Sequence, residues 1–171
     1  MQRHLRHLAL GLAAALAPLP ALAADAFVNV LTGGTSGVYY PLGVALANNI
    51  GKALPAAKTS VQATKASVEN LNLLQAGRGE IAFTLGDSLS DAWKGDEEAG
   101  FKAPLKKLRG IAAIYPNYIQ IVARADAGIR TLADLKGKRV SVGAPKSGTE
   151  LNARAVLGAA TPVGGSGEKL P

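Results

Sequence analysis

Phe27-Val-Asn-Val-Leu31 runs into Thr32-Gly-Gly-Thr-Ser-Gly37 and then Val38-Tyr-Tyr-Pro-Leu42, and across these sixteen residues the side-chain pattern changes period. The β-branched and apolar run predicts a strand, and the glycines and hydroxyls predict a loop. Beyond the loop, Leu42, Leu46, Ile50 and Leu54 recur every four residues, so they form one apolar stripe on a helix. Pro41 fits the first turn of that helix and Pro55 ends it. A strand that feeds a helix through such a loop opens an alternating α/β chain.

The alternation continues outward. Ser60–Thr64 alternates like a half-buried strand, and Ser67–Leu74 predicts a helix with Val68, Leu71 and Leu74 on one face and Gly77 as its stop. Ile81–Leu85 predicts a third strand, and Gly86-Asp87-Ser88 caps a short helix. Residues 94–108 are charged and contain Gly95, Gly100 and Pro104, which predicts a surface excursion. Two strands are expected at Leu108–Tyr115 and Tyr118–Ala123, broken by Pro116-Asn117. A helical turn at Thr131–Leu135, a strand at Lys138–Gly143 and a helix at Thr149–Leu157 complete the order. This order implies a mostly parallel sheet covered on both faces. In such sheets ligands sit beyond the carboxyl ends of the strands, where the glycine and serine loops of this chain fall.

The N-terminus reads as an address. Arg3 and Arg6 precede the apolar run Leu8–Ala17, and Ala21-Leu22-Ala23 places small residues at a cleavage site, so residues 1–23 predict a secretory signal peptide cut after Ala23. The apolar run is shorter than the roughly 20 residues a spanning helix needs. The protein is therefore expected in the periplasm. The only two histidines, His4 and His7, leave with the leader, and the chain has no cysteine. A Ser-His-Asp triad, a cysteine nucleophile, a zinc site on His or Cys, and disulfides are thereby excluded from the mature chain. Its net charge becomes +5, scattered in small clusters such as Lys106-Lys107-Leu108-Arg109 without interleaved aromatics, which argues against nucleic acid.

Two loops, Thr32–Gly37 and Gly143–Thr149, bring unpaired amides and hydroxyls to helix starts, where an anion is stabilised. Phosphate and carboxylate both qualify. Gly143-Ala-Pro-Lys-Ser-Gly148 has the glycine spacing of a P-loop, but Thr149-Glu150 stands where Lys and Ser or Thr are required, and the acid would repel a triphosphate. Purely structural roles are open for the same residues: Ser147-Gly-Thr-Glu150 is a capping box, Ser67-Val-Glu-Asn70 can be simple N-capping, and Tyr39-Tyr40 can place one ring in the core and one at the surface.

Taken together, Gly33–Gly43, Ser67–Leu71, Ala112–Pro116, Leu135–Pro145 and Ser147-Gly-Thr149 resemble, in order and spacing, the TAXI family, the solute-binding receptors of one class of TRAP transporter. The resemblance runs from about Phe27 to about Ala160. It implies a type II periplasmic binding-protein fold, in which two α/β lobes are hinged by crossing strands around a small organic anion such as glutamate or another carboxylate. It also implies no catalysis, no cofactor and no metal, with the membrane subunits of a TRAP transporter as partners. Carried over by residue, Thr35 and Tyr39 line the cleft from the first loop, Ser67 and Asn70 from the second helix start, and Asp87 from the end of the third strand. Ser147, Gly148, Thr149 and Asn152 receive the carboxylate from the second lobe. Many members place Gln where Leu85 stands. The implied organisation is a first lobe with hinge strand over 24–124, the start of a second lobe over 125–160 and an atypical tail over 161–171. Receptors of this family are nearly twice as long, so a truncated form is expected. The alternatives are an ABC-transporter receptor of the same fold, an inert exported fragment, and an enzyme using Ser147 or Ser67; the enzyme would need a base that no motif supplies.

Overall fold

A computed structural model describes residues 26–160. The leader expected over 1–23 and the tail expected over 161–171 lie outside the described residues. The chain forms β1 (Ala26–Leu31), α1 (Tyr39–Ala53), β2 (Ala57–Gln62), α2 (Ser67–Gln75), β3 (Ile81–Ala82) and α3 (Gly86–Lys94). Two short 3-10 turns follow at Ala125–Ala127 and Leu132–Leu135, and then α4 (Gly148–Ala160). The three strands make a parallel sheet in the order β2-β1-β3, with Val30 opposite both Val61 and Ile81. The architecture is thus α/β around a parallel sheet.

The sheet is built where the sequence alternates or is apolar throughout. In the outer strand β2, Ala57, Thr59 and Val61 are half-buried while Lys58, Ser60 and Gln62 are exposed; the strand starts three residues earlier than the sequence predicts. The central strand β1 ends in Val30 and Leu31, both fully buried. Past the last ladder pair of β3, Phe83 N–H still donates to the Leu31 carbonyl at 3.0 Å, although Phe83–Leu85 are not strand as expected.

Helix α1 meets the sheet through its small residues, not through the leucine stripe. Gly43 and Ala47 are its buried positions; Leu46 and Ile50 are half-buried, and Leu42 and Leu54 are exposed. A Cβ at Gly43 would collide with Thr32 Cγ2, so glycine permits the close approach and the larger residues straddle the contact. Neither Tyr39 nor Tyr40 is fully exposed or fully packed: both are half-buried.

The main apolar cluster lies on the other helices. Val68 and Leu71 of α2 and Ala92 of α3 pack with Ala99, Phe101, Leu105 and Leu108. Leu74, Leu89 and Leu151 close around them. Residues 94–108 are therefore a mostly exposed excursion that is anchored in the core by Ala99, Phe101, Leu105 and Leu108. Their glycines and charges mark the turns, and Phe101, fully buried, fills the space between. Burying such a ring stabilises by about 2–3 kcal/mol.

The strands expected at 108–115, 118–123 and 138–143 are absent: these residues carry no strand assignment. A strand needs a ladder partner, and no described backbone pairs with residues 110–123. Ile111, Ile114, Tyr118, Ile119, Ile121 and Val122 accordingly face solvent, with Val122 91% exposed. The helical turn at Leu132–Leu135 is present, and its cap is a reciprocal pair between Thr131 and Asp134. No described helix is long and apolar enough to cross a membrane.

Candidate functional site

The carboxyl ends of β1, β2 and β3 are tied together by one side chain. Asn70, fully buried, donates to the carbonyls of Thr32 at 2.6 Å and Phe83 at 2.8 Å and accepts the Thr64 hydroxyl at 2.6 Å. Thr32 closes the β1–β2 end in turn, its hydroxyl donating to the Gln62 carbonyl at 2.8 Å. The residues just beyond this bracket face a cavity of about 280 Å³ lined by Tyr39, Thr84, Leu85, Gly86, Asp87, Ile114, Tyr115, Asn117 and Asn152. It sits where loops leave parallel strands, the ordinary ligand position of an α/β sheet.

Helix starts converge on this cavity from three directions. Tyr39 opens α1, and its ring stacks on Phe83 at 5.4 Å between centroids. Burial pushes the Tyr39 hydroxyl up to about 12, with the nearby Tyr115 and Asp87 adding to the rise; hydrogen bonds with Asn117 and Ser67 pull the other way. Asp87 lies in the first turn of α3, where the helix dipole favours its charge, and its Oδ1 accepts the Ser88 N–H at 2.6 Å. Asn152 comes from the second turn of α4.

Of the sequence-predicted residues, Tyr39, Asp87 and Asn152 line the cavity. Ser67 and Asn70 lie behind it. The Ser67 hydroxyl does not cap its own helix but accepts the Leu85 N–H at 3.1 Å. Residue 66 carries the strain there, since Ala66 has φ of 72°. Ser147 is buried and caps α4, accepting the Glu150 N–H at 3.1 Å. Glu150 reaches back to the Lys146 N–H at 2.8 Å, one residue earlier than a standard capping box. Arg154 and that amide hold the Glu150 carboxyl below the usual carboxylate range. Gly148 is buried against Ser67 and Leu85, whereas Thr35 and Thr149 are exposed and outside the cavity lining.

Three polar lining residues, Thr84, Tyr115 and Asn117, were not among the candidates; the last two come from one segment. The motif Ala112–Pro116 runs through this place, but Pro116 reads as a strand break, so its neighbours pass for turn residues. They are polar side chains on an irregular segment tied to the cavity by the Asn117–Tyr39 hydrogen bond.

The lining contains one charge, Asp87, and no cation. Its other polar groups are phenols, amides and a threonine hydroxyl, groups able to donate to and accept from a polar solute. No group of three or more His, Cys, Asp or Glu able to hold a metal occurs among the described residues. The profile of the NMT1-like family matches residues 30–165, most of the chain, and spans every residue of this cavity.

Proposed function

The chain belongs to the NMT1-like family, periplasmic substrate-binding proteins that serve membrane transporters, and from that premise we propose that it is the TAXI-type receptor of a TRAP transporter, binding glutamate or a related small carboxylate. The family consists of binding proteins, not enzymes. On this reading residues 24–124 are the first lobe, 125–160 begin the second, and the leader directs export with cleavage after Ala23.

The observation that carries the reading is the convergence of Tyr39, Asp87 and Asn152, three residues remote in sequence, on one cavity at the carboxyl ends of the strands. Asn117 and Asn152 offer amide donors to a carboxylate, and the phenols of Tyr39 and Tyr115 offer two more. Asp87 supplies the opposite requirement. A lone acid in a small cavity repels a second anionic group and pairs with an ammonium, which favours an amino acid over a plain dicarboxylate. Behind this lining Ser67, Asn70, Ser147 and Gly148 fix the backbone that presents it, and Thr35 and Thr149, exposed and outside the lining, would meet the solute only from further out.

Calorimetric titration with L-glutamate and with glutarate, which lacks the ammonium, tests this. Glutamate gives saturable heat and glutarate binds at least about tenfold more weakly, one hydrogen-bonded charge pair's worth. Asn152→Ala weakens both, and Asp87→Asn removes the preference between them. Equal affinities for the two ligands in the unaltered protein would sink the assignment of Asp87.

A further inference from the structure

Gly86 also borders a second cavity, of about 500 Å³, formed with Leu89, Ser90, Trp93, Lys94, Leu108, Arg109 and Gly110. Its chemistry is the reverse of the first. Leu89 and Trp93, one helical turn apart on α3, and Leu108 give it an apolar floor. Two cations, Lys94 and Arg109, stand at its edge, and no carboxylate lines it. Neither cation forms an ion pair among the described residues.

The floor and edge are held in place. Lys106 Nζ donates to the Trp93 carbonyl at 2.7 Å and lies 4.2 Å from the centre of the indole, fixing one side of the ring while Trp93 keeps 45% of its surface exposed. Arg109 Nη1 donates to the carbonyls of Lys106 at 2.9 Å and Leu108 at 2.6 Å, which pins the guanidinium at the rim. Glycines leave the walls low: a Cβ at Gly86 or Gly110 would meet nothing within 4 Å.

We propose that this groove is a second binding site, for an amphipathic monoanion whose alkyl chain lies along Leu89, Trp93 and Leu108 and whose carboxylate is received by Arg109 and Lys94. The groove is shallow and open to solvent along its length, which suits a chain laid on the surface rather than an enclosed ligand. The charge pattern selects the ligand: an apolar floor alone would take any alkyl chain, whereas two unpaired cations without an acid reject an ammonium and favour a carboxylate. The site does not depend on the first cavity, which has an acid where this one has cations.

Trp93 is the only tryptophan in the chain, so its emission reports on the groove directly. The probe is decanoate below its micellar concentration, with decylamine as the control of equal tail and opposite charge. Decanoate shifts Trp93 emission saturably, decylamine is at least about tenfold weaker, and saturating glutamate leaves the decanoate curve unchanged. Arg109→Gln and Lys94→Gln each weaken decanoate by about tenfold with the far-ultraviolet circular dichroism unaltered. The proposal is overturned by a non-saturating response, by equal binding of decylamine, or by indifference to both substitutions. It is equally overturned if a Leu- and Glu-rich peptide saturates the emission where decanoate does not, or if emission changes with protein concentration alone, which would put a protein segment or a second copy in the groove.

Discussion

Gly148, the first residue of α4, stands directly against Ser67, the first residue of α2: a Cβ at 148 would lie 2.7 Å from Ser67 Oγ and 2.5 Å from Leu85 Cδ1. Two helix starts far apart in sequence therefore meet with no room for a methyl group, and their contact sets where Asn152 stands relative to Tyr39 and Asp87. The Leu85 side chain can move aside; the Ser67 hydroxyl cannot do so without giving up the Leu85 N–H. Gly148→Ala should cost about 1–3 kcal/mol in urea unfolding, and it should weaken glutamate binding in the folded protein because α4 is displaced from the cavity. Unchanged stability and affinity would mean that the contact is loose.

The core over 94–108 gives a second test. Phe101→Ala should destabilise by about 3–5 kcal/mol, read from the denaturation midpoint, because the ring is fully buried in the cluster of Val68, Leu71, Ala92 and Leu105. A loss below about 1 kcal/mol would mean that Phe101 does not anchor this segment to the core.

This segment also marks the limit of what the sequence disclosed. The alternation of β1, α1, β2, α2, β3 and α3 was legible because local period and punctuation set it: glycine loops, Pro41 and Pro55 around α1, and the small-residue stop after α2. Phe101, Leu105 and Leu108 were not legible as core: they recur at i, i+4 and i+7, but Gly100 and Pro104 interrupt the segment, no helix forms there, and only tertiary packing joins them to α2 and α3. The apolar run from Ile111 to Val122 erred in the opposite sense. Its composition is that of a strand, but composition does not supply the hydrogen-bonding neighbour. For the site, the family resemblance rather than the local pattern marked Tyr39, Asp87 and Asn152, while Tyr115 and Asn117 gain their place from an irregular segment that reaches the cavity. The hydroxyl of Ser67 was legible as a donor or acceptor at a helix start, but its commitment to Leu85 across 18 residues was not.

Titration of Tyr39 offers a pH test. An ordinary phenol ionises near 10, and burial raises Tyr39 to about 12, with Tyr115 adding to the rise. The folded state therefore holds a proton that the unfolded chain has lost between about pH 10 and 12, and stability should fall across that window and be level below it with respect to this group. Tyr39→Phe should remove the corresponding slope and delete the last phenolate step from the ultraviolet titration of the four tyrosines. If the deleted step lies near pH 10, Tyr39 is not shielded as described.

The exposed apolar run predicts self-association. Residues 110–123 contain no charge, and among them Ile111 and Val122 are 80% and 91% exposed. Unpaired backbone beside exposed apolar side chains is the usual route to edge pairing between copies. Ile119→Lys combined with Val122→Lys should keep the protein monomeric in light scattering to about tenfold higher concentration than the unaltered chain, because like charges oppose pairing at both positions. The same onset in both proteins would place association elsewhere.

Asn70 separates scaffold from ligand contact. All of its polar capacity described above is used inside the fold: two donor bonds to the carbonyls of Thr32 and Phe83 and one acceptor bond from Thr64. Asn70→Ala leaves the Phe83 carbonyl without this donor and the Thr32 carbonyl with only the Thr64 hydroxyl at 2.9 Å, so a loss of about 2–3 kcal/mol is expected in urea unfolding. Asn70→Asp keeps the size but replaces the donating amide by an acceptor facing two carbonyl oxygens, and should be no better. If Asn70 acts only by tying the strand ends together, the folded fraction of either variant under stabilising conditions should bind glutamate within a few-fold of the unaltered protein. A selective collapse of affinity with stability preserved would instead put the Asn70 amide on the ligand and require its bonds to the carbonyls to break when the solute enters.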